Sequence, residues 1–267
     1  MDIESESLKE GIEMSARKFL VFLIALVFCA VPLTATHSGE APAKSASLPG
    51  PQLVTGAWMF IAGYKADPEV LKSMLPAGLK PHPNNHVVIN MYTVPDKNQT
   101  SGFGAYTLTY LTIELDGHDS YVMDSDITYP GRYFVHYYNS SPKMREFTKP
   151  VGIPAQEGMT TTVVENGVLK TKLEIGGQSM IEATAEVGSE LGGFGGGHLN
   201  YFGFMEDKGV VKYPIPWNGG TVSMANPKIT FTAPEGHSLH KLKPLGDPTW
   251  AVWTKGSFVY PQYQVLN

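Results

Sequence analysis

Turn-forming residues interrupt this chain throughout its length and limit it to short structural elements. The 267 residues include 28 glycines and 20 prolines, and the segments between them are mostly short runs of alternating apolar and polar residues. Such alternation is typical of strands, and proline is excluded from helix interiors and from central strands. The sequence therefore predicts a β-rich domain rather than a helical bundle, with enough residues to bury an ample core.

The charge of the chain argues against nucleic acid as a partner. Charged residues make up 17% of the chain and the formal net charge is −5, which leaves no basic footprint for phosphate groups.

A metal site is not predicted either. The pairs His82/His86 and His237/His240 have the spacing of ligands on a helix, but neighbouring prolines and a glycine disfavour helices there.

The N-terminal segment has the features of an export signal. Residues 19–31, FLVFLIALVFCAV, form an unbroken apolar run that follows Arg17 and Lys18 and ends near small residues. This order is typical of a secretory signal peptide, and the run is too short for a comfortable membrane span. We therefore predict a leader and signal peptide over residues 1–36, a secreted or periplasmic product, and no stable membrane span after processing. The alternative is an uncleaved N-terminal segment that anchors the protein in a membrane.

The rest of the chain divides into a linker and one domain. Residues 37–52 are rich in Ser, Ala, Pro and Gly, which predicts a disordered linker before a domain at 53–267. A helix is predicted at 68–75, because Asp67 and Pro68 form a helix start. Strands are predicted at 58–64, 87–94, 105–115, 121–123, 133–138, 160–164, 169–175, 179–187, 199–205, 209–213, 222–232 and 250–260. Turns are predicted at 116–117, 165–167 and 176–177, and a flexible glycine-rich connector at 192–197.

One stretch in the middle of the chain concentrates charge and turn residues. Residues 145–158, REFTKPVGIPAQEG, contain the adjacent pair Arg145-Glu146 and then Lys149. Pro150 and Pro154 disfavour regular structure, so we predict a constrained loop between two β-rich halves. Such loops often carry function, and the competing interpretation is a set of solvated surface charges.

The order of segments resembles the acetoacetate decarboxylase family. The resemblance is carried by WMFIAGYKAD, EVLKSMLPAGLKP, VVINMYTVPD, TSGFGAYT, the REF…GIP stretch, ENGVLKTKLEIGGQ, NYFGF and ANPKITF, which follow one another from about residue 58 to residue 260. It implies an α+β, mostly β fold with few helices, in which a curved antiparallel sheet closes, barrel-like, around an apolar pocket. It also implies a homo-oligomer and a small-molecule carbonyl substrate.

The family's chemistry depends on a lysine amine. The amine attacks the carbonyl of a β-keto acid, and the resulting Schiff base accepts electrons while carbon dioxide leaves, without a metal or diffusible cofactor. A lysine is protonated at neutral pH unless an apolar pocket or a neighbouring cation lowers its pKa, and acetoacetate decarboxylase itself is a known example.

The sequence departs from the family at the lysine motif, and two alignments are possible. If FTKPVG takes the place of the motif, Lys149 is the nucleophile and Pro150 replaces a second lysine. If GIPAQ takes its place, Ala155 and Gln156 stand where both lysines are expected. The second alignment keeps better spacing to the downstream hairpin and is slightly preferred.

Other polar positions of the family are only partly kept. Lys65 stands in place of an arginine, and Asn90 and Leu108 stand in place of two glutamates. The leading hypothesis is a lyase that acts on a small keto acid or related carbonyl compound through a lysine Schiff base. Its candidate residues are Lys149, Arg145 and Glu146 for catalysis, and Tyr106, Lys65 and Asn90 for substrate binding. The alternative is a non-catalytic member that binds a small carbonyl or apolar ligand, and a lysine buried in the pocket would discriminate between the two.

The signal-peptide interpretation predicts the mature N-terminus. We expect protein recovered from the native cell envelope to begin near His37, because the small residues of a cleavage site precede it. Intact mass spectrometry measures this directly, and a mass that retains residues 14–36 would instead support the membrane anchor.

Overall fold

The computed structural model describes residues 51–122 and 126–266. The predicted signal peptide, nearly all of the predicted linker, and residue 123 of one predicted strand lie outside these residues. Within the described ranges, no helix is long and apolar enough to cross a membrane. The first strand begins at Gln52, whose side chain is buried.

Strands dominate the described part of the chain. They are β1 (Gln52–Lys65), β2 (His86–Val94), β3 (Tyr106–Val122), β4 (Thr128–Asn139), β5 (Ala155–Glu157), β6 (Met159–Glu165), β7 (Val168–Ile175), β8 (Gln178–Met205), β9 (Gly209–Phe231), β10 (Trp250–Tyr260) and β11 (Gln264–Val265). The helices are α1 (Pro68–Met74) and α2 (Pro142–Thr148), with short 3₁₀ turns at Lys97–Gln99, Lys149–Val151 and Ser238–Leu242.

All eleven strands belong to one curved sheet, in which two strands far apart in the strand order also pair with each other. The order is β11-β9-β10-β1-β2-β3-β4-β8-β7-β6, and β8 also pairs with β9. The strands β9, β10, β1, β2, β3, β4 and β8 therefore form a closed ring of hydrogen-bonded neighbours. Pairing is antiparallel except where β4 meets β5 and β8. The prediction of a mostly β fold, with a curved antiparallel sheet and few helices, is confirmed.

Local sequence signals explain the elements that were predicted best. Asn166 and Gly167 have φ of 51° and 75°, as a type I′ turn requires, and they join β6 to β7 in the predicted hairpin. The Asp67 side chain accepts a hydrogen bond of 2.9 Å from the backbone N–H of Glu69, and Pro68 opens α1. The predicted final strand at 250–260 coincides with β10.

The glycine-rich stretch at 192–197 is not a flexible connector, because it lies inside β8 and pairs with β9. Its register slips between Val187 and Leu191 and again between Gly192 and Gly195, so the glycines accompany bulges that bend a 28-residue strand. A Cβ atom on Gly197 would lie 2.3 Å from the carbonyl oxygen of Tyr121 in β3. A glycine is needed at this position because the two backbones approach closely, not because the chain must be flexible.

Two further predictions from turn residues were wrong for related reasons. Asp116 and Gly117 do not end a strand, because β3 runs on to Val122 with a register slip in this region. The stretch predicted as a loop at 145–158 contains most of α2, the 3₁₀ turn and β5. The start signal of α2 lies just upstream: the Ser141 hydroxyl accepts from the backbone N–H of Met144, and Pro142 occupies the first turn.

Burial of His136 makes the stability of the fold depend on pH. His136 in β4 is 6% exposed, and this burial, with the nearby His237, lowers its pKa to about 4. Its ring stacks on Tyr138 with centroids 5.9 Å apart. Because the pKa in the unfolded chain is about 6.5, protons favour unfolding, and stability that is present above that pH is lost as the pH falls towards the folded pKa.

We expect the free energy of unfolding to fall by about 2 kcal/mol between pH 7 and pH 5 through His136 alone. Chemical denaturation at the two pH values measures the change. The variant His136→Phe keeps a ring at this position and should lose most of this pH dependence. An unchanged dependence in the variant would assign the effect to other groups.

Candidate functional site

A cavity of about 490 Å³ lies among the strands of the ring, with walls from β1, β2, β3, β4, β8, β9 and β10. Exposed residues such as Tyr129 and Asn218 are part of its lining, so it opens to solvent. Apolar atoms form most of the wall, and much of that wall is aromatic. The aromatic lining residues are Tyr92, Tyr110, Tyr129, Phe134, Tyr137, Tyr201, Trp217, Trp250, Phe258 and Tyr260.

Arg132 places a buried positive charge in this wall. The residue lies on β4, is 6% exposed, and lines the cavity. Its guanidinium carbon lies 5.7 Å from the centroid of the Trp250 ring, within cation–π range. Burial works against the charge, but Tyr201 and Glu114 outweigh it and raise the pKa of Arg132. The guanidinium therefore stays charged.

Glu114 is the counter-ion of Arg132, and it is shared with a second group. Its Oε1 lies 4.0 Å from Nη2 of Arg132, and its Oε2 lies 3.3 Å from Nδ1 of His86. The side-chain amide of Asn84 also donates to Oε2. Burial lowers the pKa of His86, and the carboxylate of Glu114 raises it without reversing the shift. Arg132 and Glu114 both line the cavity, so its wall contains a cation together with its counter-ion.

Tyrosine hydroxyls form two hydrogen-bonded groups around the cavity. In the first, Nδ2 of Asn90 donates to the hydroxyl of Tyr110 at 2.7 Å, and that hydroxyl lies 2.9 Å from the hydroxyl of Tyr201. The second group connects Tyr92 with Tyr106 at 3.0 Å and with Tyr260 at 2.7 Å, and Tyr260 with Tyr137 at 3.4 Å.

Burial raises the pKa of Tyr92, Tyr106, Tyr110, Tyr137 and Tyr260 above the ordinary tyrosine value. Their hydroxyl groups therefore stay neutral at physiological pH. In that state they donate and accept hydrogen bonds rather than act as anions.

Three polar atoms on cavity-lining residues are buried without a hydrogen-bond partner. They are Oδ1 of Asn90, Nε of Arg132 and Nε1 of Trp217. A buried polar atom that lacks a partner costs about 1–3 kcal/mol, and such atoms are uncommon in folded proteins. These atoms have almost no accessible surface, so a molecule in the cavity would not reach them. The mostly apolar lining suits a mostly apolar molecule.

The candidate residues from the sequence fall into three places. Asn90 lines the cavity, and Tyr106 hydrogen-bonds to Tyr92 in its wall. Lys65, at the exposed end of β1, is not among the lining residues. The remaining three candidates, Arg145, Glu146 and Lys149, lie on α2 and at its end.

The α2 group is a surface arrangement. Arg145 donates to the carbonyl oxygen of Asn139 at 2.7 Å, and its Nη2 lies 3.7 Å from Oε2 of the exposed Glu157. Glu146 and Lys149 are exposed. These three side chains are not among the described residues that line the cavity.

The register of β5 bears on the two alignments of the lysine motif. Ala155 pairs with Tyr137, a cavity residue, and is buried, whereas Gln156 is exposed. In the alignment that puts Ala155 and Gln156 in place of the two lysines, only Ala155 is buried beside a cavity-lining residue.

Sequence reasoning missed Arg132, Glu114, Tyr110 and Tyr201. Signals for the two charges existed, because Glu114 interrupts the apolar strand TYLTIEL and Arg132 opens the apolar run RYFVHYY. A charged residue within a strand that reads as buried is more often paired or functional than solvated. Among the described residues, no group of His, Cys, Asp and Glu side chains could hold a metal ion.

The described residues form a β-rich protein in which a closed ring of strands surrounds a largely aromatic cavity. No family model and no curated protein matches the sequence, but solved structures do match the fold. An acetoacetate decarboxylase from Legionella pneumophila has a TM-score of 0.66 at 16% identity, over 86% of this chain and 93% of that one. Another acetoacetate decarboxylase structure has a TM-score of 0.65 at 15% identity, over 86% and 95%.

The enduracididine biosynthesis enzyme MppR, solved in complex with pyruvate, has a TM-score of 0.60 at 15% identity, over 89% of this chain and 99% of that one. The chain therefore has the fold of acetoacetate decarboxylase. The resemblance found in the sequence is confirmed at the level of the fold.

The buried pairing of Arg132 with Glu114 predicts that removal of this carboxylate lowers the free energy of unfolding more than removal of an exposed carboxylate does. We expect Glu114→Gln to lower the free energy of unfolding by about 3–5 kcal/mol, because it leaves a buried guanidinium without a counter-ion. Chemical denaturation measures the loss.

The matched control is Glu174→Gln, which removes the partner of Lys172 at 3.0 Å in a pair that is 30–40% exposed. We expect that change to cost no more than about 1 kcal/mol. Equal losses in the two variants would contradict a special role for Glu114.

Proposed function

We propose that this protein binds a small carbonyl-bearing or apolar molecule in the cavity, and that it does so without forming a lysine Schiff base. The observation that carries the proposal is the composition of the wall: a buried arginine with its counter-ion, and neutral tyrosine hydroxyls, in a mostly apolar and aromatic surface. These groups suit recognition by hydrogen bonds and apolar contact.

A Schiff-base mechanism would need a lysine amine inside a closed pocket, where desolvation lowers its pKa and frees the nucleophile. No lysine is among the described residues that line the cavity. Lys149 and Lys65 are exposed. The amine of Lys255 lies 5.5 Å from the ring centroid of Trp58, and neither of these two residues lines the cavity. The geometry of these residues gives the lyase hypothesis with Lys149 no support, and it remains a prediction for experiment.

The cavity offers an alternative way to hold a carbonyl compound. Arg132 and the neutral tyrosine hydroxyls belong to residues that line the cavity, and both kinds of group would donate to a carbonyl oxygen. The aromatic wall would cover the apolar part of the ligand. Export of the protein and a homo-oligomeric state also remain proposals.

Borohydride trapping distinguishes the two functions. We expect incubation with pyruvate or acetoacetate and borohydride to give no reduced adduct on any lysine in peptide mass mapping. Titration with 2-nonanone, a neutral aliphatic ketone, should give saturable quenching of tryptophan fluorescence, because Trp217 and Trp250 line the cavity. An adduct at Lys149 that is lost in Lys149→Ala would overturn the proposal in favour of the lyase.

A further inference from the structure

Glu114 and Arg132 place an anion and a cation side by side in the wall of the cavity. Both residues line the cavity, and Oε1 of Glu114 lies 4.0 Å from Nη2 of Arg132. This distance is longer than a hydrogen bond, so the two charges attract each other without a direct contact. The guanidinium is therefore not closed off by its counter-ion.

The two carboxylate oxygens of Glu114 differ in their surroundings. Oε2 accepts a hydrogen bond from the side-chain amide of Asn84 and lies 3.3 Å from Nδ1 of His86. Oε1 accepts no hydrogen bond from a described residue, yet it is not among the described polar atoms that are both unpartnered and fully buried. It therefore keeps some accessible surface. Because Glu114 lines the cavity, Oε1 is the oxygen that a bound molecule would meet.

Tyrosine hydroxyls supply a hydrogen-bond donor beside the cation. The hydroxyls of Tyr110 and Tyr201 lie 2.9 Å apart, and both tyrosines raise the pKa of Arg132, to which they must therefore be close. Asn90 donates to the hydroxyl of Tyr110. The two hydroxyls carry two hydrogens, and the bond between them uses only one. The other hydrogen is free to donate to a carbonyl oxygen.

This arrangement suits a reaction that moves a negative charge over a short distance. When a carboxylate removes a proton from the carbon next to a carbonyl group, the C–H electron pair forms a C=C bond and the carbonyl π electrons move to oxygen. In this cavity the negative charge would pass from Glu114 to that oxygen. The resulting enolate would then replace the carboxylate as the counter-ion of Arg132, and donors already in place would stabilise it as it forms.

The strength of the base limits the class of substrate. An ordinary side-chain carboxylic acid has a pKa of about 4, so its carboxylate is a weak base and removes a proton only from an acidic carbon. A carbon that lies between two carbonyl groups is acidic enough, whereas the α-carbon of a simple ketone is not.

We propose that the cavity catalyses the keto–enol tautomerisation of a mostly apolar 1,3-dicarbonyl compound. Oε1 of Glu114 removes the proton from the carbon between the two carbonyl groups, and Arg132 with the tyrosine hydroxyls binds the enolate oxygen. The proton then returns from Glu114 to carbon or to oxygen, so the reaction balances without a co-reactant. This inference rests on the proposed binding function and adds an activity to it.

The test measures hydrogen–deuterium exchange by NMR in D₂O on the full chain. The probe is ethyl 2-methyl-3-oxo-3-phenylpropanoate, a β-keto ester whose single α-hydrogen lies between a ketone and an ester. We expect the wild type to accelerate the loss of this hydrogen's signal, with a rate that saturates as the probe concentration rises. We expect no acceleration for 2-nonanone. A lysine amine that formed an imine would exchange the α-hydrogens of both compounds.

Two variants identify the base. We expect Glu114→Gln to lower the exchange rate by about 100-fold, which is typical for the loss of a general base. Glu114→Asp keeps a counter-ion for Arg132 but withdraws the carboxylate, so it should lower the rate by at least about ten-fold. Circular dichroism spectra show whether each variant folds. The matched control is Glu174→Gln on β7, which should exchange the probe as the wild type does.

The outcomes separate this inference from the function on which it rests. If either Glu114 variant folds and exchanges the probe as fast as the wild type, Glu114 is not the base and the inference is wrong. If neither variant folds, the wild type decides: exchange of the β-keto ester alone supports a carboxylate base, and exchange of 2-nonanone as well overturns it.

A wild type that quenches its tryptophan fluorescence with either compound but exchanges neither has the binding function without the tautomerase activity. If neither compound binds, both proposals are wrong.

Discussion

The pairing of β8 with β9 is the interaction on which the rest of the structure depends. It extends, with register slips, from Ile181 opposite Phe231 to Met205 opposite Gly209, and it connects the strand beside β4 to the strand beside β10. Without this contact the sheet would be open and the cavity would have no far wall. A sheet closes only if its strands bend, and here the bending is local to bulges near the glycines of β8.

The closed sheet in turn fixes what the interior can contain. Arg132 and Glu114 face each other across β4 and β3, at paired positions in the register, so a buried charge and its counter-ion are delivered by neighbouring strands. The tyrosines reach the cavity from β2, β3, β4, β8 and β10. Polar groups from so many strands meet only because the ring brings distant parts of the chain together.

Much of the fold was predictable from local signals, and most of the site was not. Asp67 with Pro68, and Asn166 with Gly167, act within a few residues, so α1 and the β6–β7 hairpin follow from the sequence. The glycines at 192–197 were misread because a bulge in a long strand and a flexible loop share the same residues. Asn90 was found through family resemblance. Arg132 was missed because its importance comes from Glu114, 18 residues away in the sequence, and from a cavity that no local pattern reveals.

The phenol hydroxyls around the cavity have no fixed hydrogen-bond polarity. Tyr92, Tyr110, Tyr201 and Tyr260 lie at hydrogen-bond distance from one another in pairs where either oxygen can be the donor. Rotation of a hydroxyl hydrogen reverses the direction of such a bond without moving a heavy atom. One side of the cavity can therefore change from donor to acceptor as the bound molecule requires, while Arg132 always donates. The same scaffold would thus accommodate ligands that differ in the pattern of their polar atoms.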